Sequence, residues 1–277
     1  MTDTRPIGVF DSGVGGLSVL RALQSELPQE SFVYVADNGH APYGERDDEH
    51  VLKRSHAITD YLIAQHHIKA LVVACNTATA AAIHAIRAAY PQIPIVGIEP
   101  ALKPAAARSK TGVVGVMATR STLNSEKFQK LLASMHGAAT FVLQPCDGLA
   151  ISIERHDTER IQELCSKYVA AMGSFGDQPG NMDTLVLGCT HFVFASHALE
   201  ELVGPKIQLL EGGAPVARQT KRLLEADLAA HSASEAVVTS QQTPATLFYS
   251  TGDTQLLTDA VGRWLGQDII TQPLSVG

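Results

Sequence analysis

The chain has 277 residues, of which 45% are apolar and 18% are charged, a balance that excludes a disordered or collagen-like protein. Its 21 basic and 28 acidic residues give a formal net charge of −7, which argues against a broad surface for nucleic acid or anionic membranes. No apolar run approaches the roughly 20 residues that cross a bilayer, and no signal peptide is recognisable at the start. The four cysteines include no Cys-x-x-Cys pair, which predicts reduced thiols in a cytoplasmic protein.

Short apolar runs rich in β-branched residues alternate with longer amphipathic stretches, a pattern typical of βαβ units and a parallel sheet. Strands buried on both faces read as continuous apolar runs, as these do. The predicted strands are Ile7–Phe10, Phe32–Ala36, Ala70–Ala74, Ile95–Gly97, Gly112–Met117, Thr140–Leu143, Thr184–Leu187, Ile207–Leu209 and Thr246–Asp253. The predicted helices are Gly16–Glu26, Asp48–His66, Ala78–Tyr90, Leu123–Met135, Thr158–Met172, Phe194–Leu202, Ala214–Ala230 and Thr254–Leu265.

The two halves of the sequence resemble each other weakly. Each half opens with a strand, a turn and a helix, at Ile7–Leu23 and at Thr111–Leu132. Later in each half a strand ends in a cysteine followed by small or hydroxyl residues, at Leu71–Ile83 and at Thr184–Leu199. We therefore expect two copies of one structural unit.

The end of the chain is expected to return to the first unit. The polar segment Ser232–Thr243 reads as a loop, and the single strand and helix after it are too little for a separate core. The prediction is a discontinuous first α/β domain of residues 1–98 plus 210–277, with an inserted second α/β domain of residues 99–209.

The strongest chemical signal is a pair of cysteines at strand ends, Cys75 and Cys189. Ligands of open parallel sheets bind just outside the carboxyl ends of the strands, and helix N-termini there favour a negatively charged thiolate. A lone cysteine in such a place is more often a small buried hydrophobe. Two in matching contexts, each followed by a threonine, favour a pair of reactive thiols.

A glycine-rich turn, Asp11-Ser12-Gly13-Val14-Gly15-Gly16, follows the first predicted strand. Its glycines allow positive φ or close backbone approach, and the helix that it opens can bind an anion. The spacing matches neither a dinucleotide fingerprint nor a phosphate loop. Asp11 and Ser12 are therefore candidates for the site, and the alternative, that one of them caps the helix, stays open.

Three weaker candidates follow. The segment Ala41-Pro42-Tyr43-Gly44 reads first as a turn, although its backbone N–H groups could also meet a carboxylate. Glu154 and His191 are the remaining titratable candidates, and His191 is near enough to Cys189 to tune it or to hold a substrate carboxylate.

The remaining cysteines, Cys146 and Cys165, are interpreted as structural. No two cysteine or histidine residues have a usual zinc spacing, so we expect no metal site.

Taken together, these motifs resemble the glutamate racemase family, within the aspartate/glutamate racemase superfamily. GVFDSGVGGLSVL, APYG, VVACNTATA, VGIEPALKPA, GVMATRSTL, LVLGCTHF and FYSTGD occur in family order over nearly the whole chain. The resemblance implies an α/β fold of two similar doubly wound parallel-sheet domains that face each other across a cleft and are related by a pseudo-two-fold axis. It further implies cofactor-independent interconversion of L- and D-glutamate for peptidoglycan synthesis, in a cytoplasmic homodimer that binds neither nucleic acid nor membrane.

The resemblance also implies roles for individual residues. Cys75 is expected to deprotonate D-glutamate and Cys189 L-glutamate, directions that the residues alone leave open. Asp11, His191 and Glu154 are expected to assist proton movement. The expected substrate-binding residues are Asp11, Ser12, Pro42, Tyr43, Gly44, Asn76, Thr77, Thr119, Thr190 and His191.

Two departures from the family pattern stand out. Glu211-Gly212-Gly213-Ala214 replaces a stretch that is more often similar to Asp-Ser-Gly. Only six residues precede the first strand, so we expect no activator site of the kind that an N-terminal extension provides.

Other functions stay open from the residues. An aspartate or hydantoin racemase would keep the scaffold, and a one-cysteine decarboxylase would need only one of the thiols. A cysteine hydrolase would need a His/Asn partner and no second thiol. A non-catalytic protein that binds small anions would bind glutamate without exchanging its Cα proton.

Overall fold

The computed structural model describes residues 3–231 and 244–277, with side chains described up to residue 226 in the helix that ends at His231. The loop predicted over Ser232–Thr243 lies outside the described residues. No helix within the described ranges is long and apolar enough to cross a membrane.

Two parallel sheets organise the described residues. The strands are β1 (Ile7–Asp11), β2 (Phe32–Ala36), β3 (Ala70–Val73), β4 (Ile95–Gly97), β5 (Val113–Ala118), β6 (Thr140–Pro145), β7 (Thr184–Leu187), β8 (Gln208–Leu210), β9 (Thr246–Ser250) and β10 (Gln272–Pro273). The first sheet has the order β10-β9-β2-β1-β3-β4, and the second has the order β6-β5-β7-β8. The four strands β2-β1-β3-β4 therefore have the same arrangement as the whole second sheet, as the repeated sequence pattern predicts.

Helices connect the strands. They are α1 (Leu17–Glu26), α2 (Asp48–His66), α3 (Asn76–Ala89), α4 (Leu102–Arg108), α5 (Arg120–Asn124), α6 (Glu126–Ala133), α7 (Leu149–Glu154), α8 (Thr158–Met172), α9 (Ser196–Val203), α10 (Gly213–His231) and α11 (Thr254–Leu265). Two 3₁₀ turns, Tyr43–Glu45 and Thr190–Ala195, follow β2 and β7 along the chain.

Helices cover both faces of each sheet, because successive side chains of a strand point to opposite sides. In β1, Ile7 and Val9 join the core formed with α1 and α10, whereas Phe10 joins the core formed with α2 and α3. In β7, Leu185 packs in the core of α8 and α9, whereas Val186 packs in that of α4 and α6. Both sheets are therefore doubly wound, and the α/β prediction is confirmed.

The sequence prediction differs from the structure mainly in its short elements. The predicted helix Leu123–Met135 is two helices, because Ser125 caps α6 by accepting a hydrogen bond from the N–H of Phe128. The short helices α4 and α7 and the two-residue strand β10 were missed. Their lengths, from two to seven residues, leave too little periodicity to recognise.

The last elements of the chain return to the first sheet. β9 pairs in parallel with β2 along Phe32–Ala36, and β10 pairs with β9. The predicted domain boundaries, 1–98 plus 210–277 and 99–209, stay a prediction.

Candidate active site

The candidate functional side chains lie at the carboxyl edges of both sheets. Asp11 is the last residue of β1, and Cys75 comes two residues after β3. In the second sheet, Thr119 directly follows β5, and Cys189 comes two residues after β7. β1 and β5 hold equivalent places in their strand orders, as do β3 and β7. Each sheet thus contributes candidate site residues from the ends of two strands, and these strands hold equivalent places in the two sheets.

One cleft brings all of the predicted site residues together. Its walls hold about 640 Å³ of space, part of it open to solvent, which is within the usual range for a small-molecule site. The residues predicted from the sequence that line it are Asp11, Ser12, Pro42, Tyr43, Gly44, Cys75, Asn76, Thr77, Thr119, Glu154, Cys189, Thr190 and His191.

Cys75 occupies the N-cap of α3. Its Sγ accepts a hydrogen bond from the N–H of Ala78 at 3.4 Å, and its S–H donates to Ser12 Oγ at 3.8 Å. Burial, together with the nearby charge of Asp11, raises the pKa of Cys75 well above its usual value. In this arrangement Cys75 is a protonated thiol.

Cys189 has a different neighbour, the ring of His191. Cys189 Sγ lies 3.8 Å from Nδ1 of this ring, and Nε2 lies 2.7 Å from Oε2 of Glu154. Burial disfavours charge on the ring, but the hydrogen bonds to Cys189 and Glu154 prevail and raise the pKa of His191 well above its usual value. Both ring nitrogens then carry protons, so an imidazolium lies beside the Cys189 sulfur.

Asp11 links the two sheets at the base of the cleft. It is fully buried, and its Oδ1 accepts a hydrogen bond from the N–H of Ser12 at 2.6 Å. Its Oδ2 accepts one from Thr190 Oγ1, which follows β7, at 3.2 Å. Burial raises the pKa of Asp11, and the positive charge of His191 opposes this effect.

Further hydrogen bonds join the walls of the cleft. The N–H of Val14 donates to Glu154 Oε2 at 2.9 Å, and Ser18 Oγ donates to the carbonyl of Thr190 at 3.2 Å. On the other side, the hydroxyls of Thr77 and Thr119 lie 3.2 Å apart. The segments after β1 and β3 thus hold those of the second sheet in a fixed relation.

The glycines of the turn after β1 provide space for the charged groups. A Cβ at Gly13 would overlap the carboxylate of Glu154, and one at Gly15 would overlap the ring of His191. Neither glycine has a positive φ. Of the two uses of glycine expected from the sequence, positive φ and close approach, the structure therefore shows close approach of another group to the backbone. The N-cap of α1 is Gly16 and receives no side-chain hydrogen bond, so the alternative that Asp11 or Ser12 caps the helix is wrong.

The segment after β2 forms one rim of the cleft. It contains a cis peptide bond between Ala41 and Pro42 and continues into the 3₁₀ turn Tyr43–Glu45. Tyr43 is buried, and its hydroxyl donates to Asp37 Oδ2 at 2.5 Å. A Cβ at Gly44 would lie 3.1 Å from Cβ of Thr119, so this rim reaches the edge of the second sheet.

Sequence reasoning left several further residues of the cleft out of the site, among them Arg120, Cys146 and Asp147. Cys146 and Asp147 follow β6 directly, and Asp147 forms an exposed ion pair with Arg120 at 2.5 Å. The same strand-end rule that identified Cys75 and Cys189 could have found them. Cys146 is also buried in the second sheet's core, as is Cys165 in α8.

No group of three or more His, Cys, Asp or Glu side chains in the described part of the chain could hold a metal ion. The cleft instead presents three thiols, those of Cys75, Cys146 and Cys189, with an imidazole and buried carboxyl groups between the edges of two parallel sheets. That combination defines an α/β enzyme equipped for acid–base chemistry.

Comparison with known proteins identifies the family. Residues 7–220 match the family described as Asp/Glu/Hydantoin racemase. A glutamate racemase from Ectopseudomonas mendocina (strain ymp) is 46% identical over 264 residues, which cover 95% of each chain. The chain belongs to the Asp/Glu/hydantoin racemase family, a family of isomerases.

Solved structures agree with this assignment. Glutamate racemase isoform RacE1 from Bacillus anthracis superposes with a TM-score of 0.83 at 29% identity, covering 99% of this chain and 98% of that one. The Escherichia coli glutamate racemase, solved in complex with L-glutamate and an activator, UDP-MurNAc-ala, gives a TM-score of 0.81 at 27% identity, with 99% of both chains covered.

Proposed function

We propose that this protein interconverts L- and D-glutamate through a pair of cysteines, and that it supplies D-glutamate for peptidoglycan synthesis. The observation that carries the proposal is that Cys75 and Cys189 line the same cleft, one from each sheet. Inverting an α-carbon without a cofactor requires a base on one face and an acid on the other, and two thiols on opposing walls supply both.

The reaction is balanced in atoms and charge. For L-glutamate, the thiolate of Cys189 takes the Cα proton, and the electron pair of that C–H bond moves onto the α-carbon and its carboxylate. The S–H of Cys75 then protonates the opposite face, which releases D-glutamate and leaves Cys75 as thiolate and Cys189 as thiol. Reversal of these steps converts D-glutamate.

The surroundings of the two sulfurs favour one starting state. Burial and Asp11 keep the proton on Cys75, whereas the His191 imidazolium stabilises negative charge on Cys189. In the proposed scheme, the form that accepts L-glutamate has a thiolate at Cys189 and a thiol at Cys75. Glu154 supports it by balancing the charge of the imidazolium.

The carbanion requires stabilisation, because the Cα–H bond of an amino acid is a much weaker acid than a thiol. The side chains of Asn76, Thr77 and Thr190 lie beside the thiols at the starts of α3 and of the 3₁₀ turn. Their polar groups and the N–H groups of these segments can bind the α-carboxylate as negative charge builds on it. Preorganised donors of this kind contribute several kcal/mol to catalysis.

The decisive experiment follows chirality and isotope together. Purified protein is incubated with L-glutamate in deuterated water, and we expect D-glutamate that carries deuterium at Cα. Chirality is read by circular dichroism and labelling by mass spectrometry. Glutamate that binds without Cα exchange would indicate a small-anion binding protein, and turnover of aspartate or a hydantoin instead would change the substrate.

Two variants test the thiol pair. Cys75→Ser and Cys189→Ser should each reduce racemisation by at least about 100-fold, because a hydroxyl is a far weaker acid than a thiol at neutral pH. Cys165→Ser, in the core of α8, is the matched control and should keep its activity. Full activity in either of the first two variants would contradict the two-thiol scheme. The expected homodimer is tested separately by sedimentation.

A further inference from the structure

A buried ionic cluster lies behind the rim of the cleft and takes no part in the chemistry above. Its centre is Asp37, which follows β2 and is fully buried. Arg54, in α2, holds it with two hydrogen bonds, from Nε to Oδ2 at 3.0 Å and from Nη2 to Oδ1 at 2.9 Å. Thr251 Oγ1 donates to Oδ1 at 2.7 Å, and the hydroxyl of Tyr43 donates to Oδ2 at 2.5 Å.

The last of these hydrogen bonds connects the cluster to the cleft. Tyr43 and Gly44 line the cleft, but the Tyr43 hydroxyl is bound to Asp37. The position of the rim is thus fixed by a carboxylate that itself lies outside the cleft lining. A bidentate arginine is the strongest available partner for such a carboxylate, and it fixes the orientation of both oxygens.

Arg54 also connects a third segment. Its Nη1 donates to the carbonyl of Val276 at 2.6 Å and to a backbone oxygen of Gly277 at 3.0 Å. The guanidinium therefore joins α2, the end of β2 and the segment after β10. With all these donors engaged, rotation of Arg54 would break contacts in each of these places at once.

We propose that Asp37 and Arg54 are positioning residues that set the rim formed by Tyr43 and Gly44 and thereby determine how tightly the substrate binds. The proposal rests on the glutamate racemase function. Because Tyr43 and Gly44 line the cleft but move no proton in the proposed scheme, displacement of the rim weakens binding of the ground state and of the transition state alike. The expected signature is a higher KM with little change in kcat.

Tyr43→Phe is the primary variant, because it removes only the hydroxyl that reaches Asp37. Arg54→Lys keeps the positive charge of the cluster and removes the planar fork. For both variants we expect the KM for each glutamate enantiomer to rise about tenfold, with kcat within about twofold of the wild type. The double variant should raise KM no further than the stronger single variant, since both act through Asp37.

An ion pair between a buried lysine and a half-buried glutamate, at the opposite edge of the same sheet, provides the control. Lys69 Nζ lies 2.5 Å from Oε2 of Glu30. The lysine side chain is 6% exposed, which is close to the 3% of the Arg54 side chain. Lys69 directly precedes β3 and Glu30 lies two residues before β2, so both are far from the carboxyl edge. Lys69→Met should lower the denaturation midpoint but leave the KM for glutamate unchanged.

Amide hydrogen exchange tests the rim independently of any activity. Residues 41–45 should exchange at least about tenfold faster in Tyr43→Phe and Arg54→Lys than in the wild type, while α8, which packs on α7, α9 and β6, keeps its rate. If the wild type does not racemise glutamate, the proposed function fails, and faster exchange at 41–45 still supports the positioning role. Unchanged exchange, or a KM equal to that of the wild type, overturns the positioning role alone.

Discussion

The carboxylate of Glu154 and the ring of His191 form a buried ion pair, with Oε2 2.7 Å from Nε2. The same oxygen accepts the N–H of Val14, so the ion pair, which is formed within the second half of the chain, is also tied to the turn after β1. The state of the imidazole beside Cys189 therefore depends on the position of a turn that belongs to the other sheet.

Removing the charge of Glu154 should lower the pKa of His191. In Glu154→Gln the imidazolium loses its counterion, so the pKa of the His191 ring falls and the ring is less able to stabilise negative charge on Cys189. We expect kcat/KM to fall about 100-fold. Nitrogen-15 NMR of labelled histidine should show His191 titrating at a lower pH than in the wild type. Glu159→Gln, at an exposed position in α8, should change neither quantity, and an unmoved His191 titration would disprove this role of Glu154.

Adding one methyl group at Gly13 should have a similar effect on catalysis. The new Cβ would overlap the Glu154 carboxylate, which must leave the ring of His191 to make room. Gly13→Ala should therefore reduce kcat/KM by about 100-fold, as Glu154→Gln does. Gly262→Ala, in α11, is the control, because its Cβ would meet only the carbonyl of Gln267 at 3.9 Å. Steady-state kinetics of both variants test this prediction, and a fully active Gly13→Ala variant would contradict it.

The ionised, buried carboxylate of Asp11 should lower the free energy of unfolding at neutral pH. Because its folded pKa is raised above the usual 3.8, the folded state retains the proton to a higher pH than the unfolded chain does, and the stability contribution is lost as the pH rises through the folded pKa. Asp11→Asn removes this loss and should raise the free energy of unfolding at pH 7 by about 1 kcal/mol while lowering activity. Urea denaturation checks the change. The gain should shrink as the pH falls towards 3.8, and a gain independent of pH would point to another cause.

The only tryptophan in the sequence reports on contact between the two halves of the structure. Trp264, in α11, stacks on Phe194, in the turn after Cys189, with ring centroids 3.8 Å apart and planes 5° apart. Phe194→Leu should lower the free energy of unfolding by about 1 kcal/mol and shift the Trp264 emission to longer wavelength. Phe175→Leu, at another half-buried phenylalanine, should leave the emission unchanged. Fluorescence during urea denaturation gives both quantities, and identical spectra for the Phe194 variant and the wild type would contradict the stacking.

The sequence predicts the sheets well, because strands buried on both faces leave uninterrupted apolar runs. β2, β4 and β7 have the predicted bounds, and the helices α2, α8 and α11 do as well. Shorter elements are harder to recognise. The boundary inside the predicted helix Leu123–Met135 did have a signal, a serine at position 125 that precedes a glutamate and caps the following turn.

The candidate site was predictable where its residues stand at strand ends. The same rule would have added Asp37 and Cys146, which directly follow β2 and β6. The rule says nothing about partners, however. The contacts of Asp37 with Arg54 and Thr251 join residues 17 and 214 positions apart, and no local pattern announces them. Likewise, the use of Gly13 to admit a carboxylate from the second sheet depends on packing that only the folded chain reveals.

The matching strand orders of the two sheets have an implication for ancestry. A half-length precursor with the order β2-β1-β3-β4 would have offered one thiol, and only pairing of two such chains could have enclosed an amino acid between two equal acids. The equivalence stops at the side chains, because the strand register places Asp11 of the first sheet where the second has Ala118, and a histidine accompanies only Cys189. Two cysteines in equivalent places of two similar sheets thus have unequal neighbours.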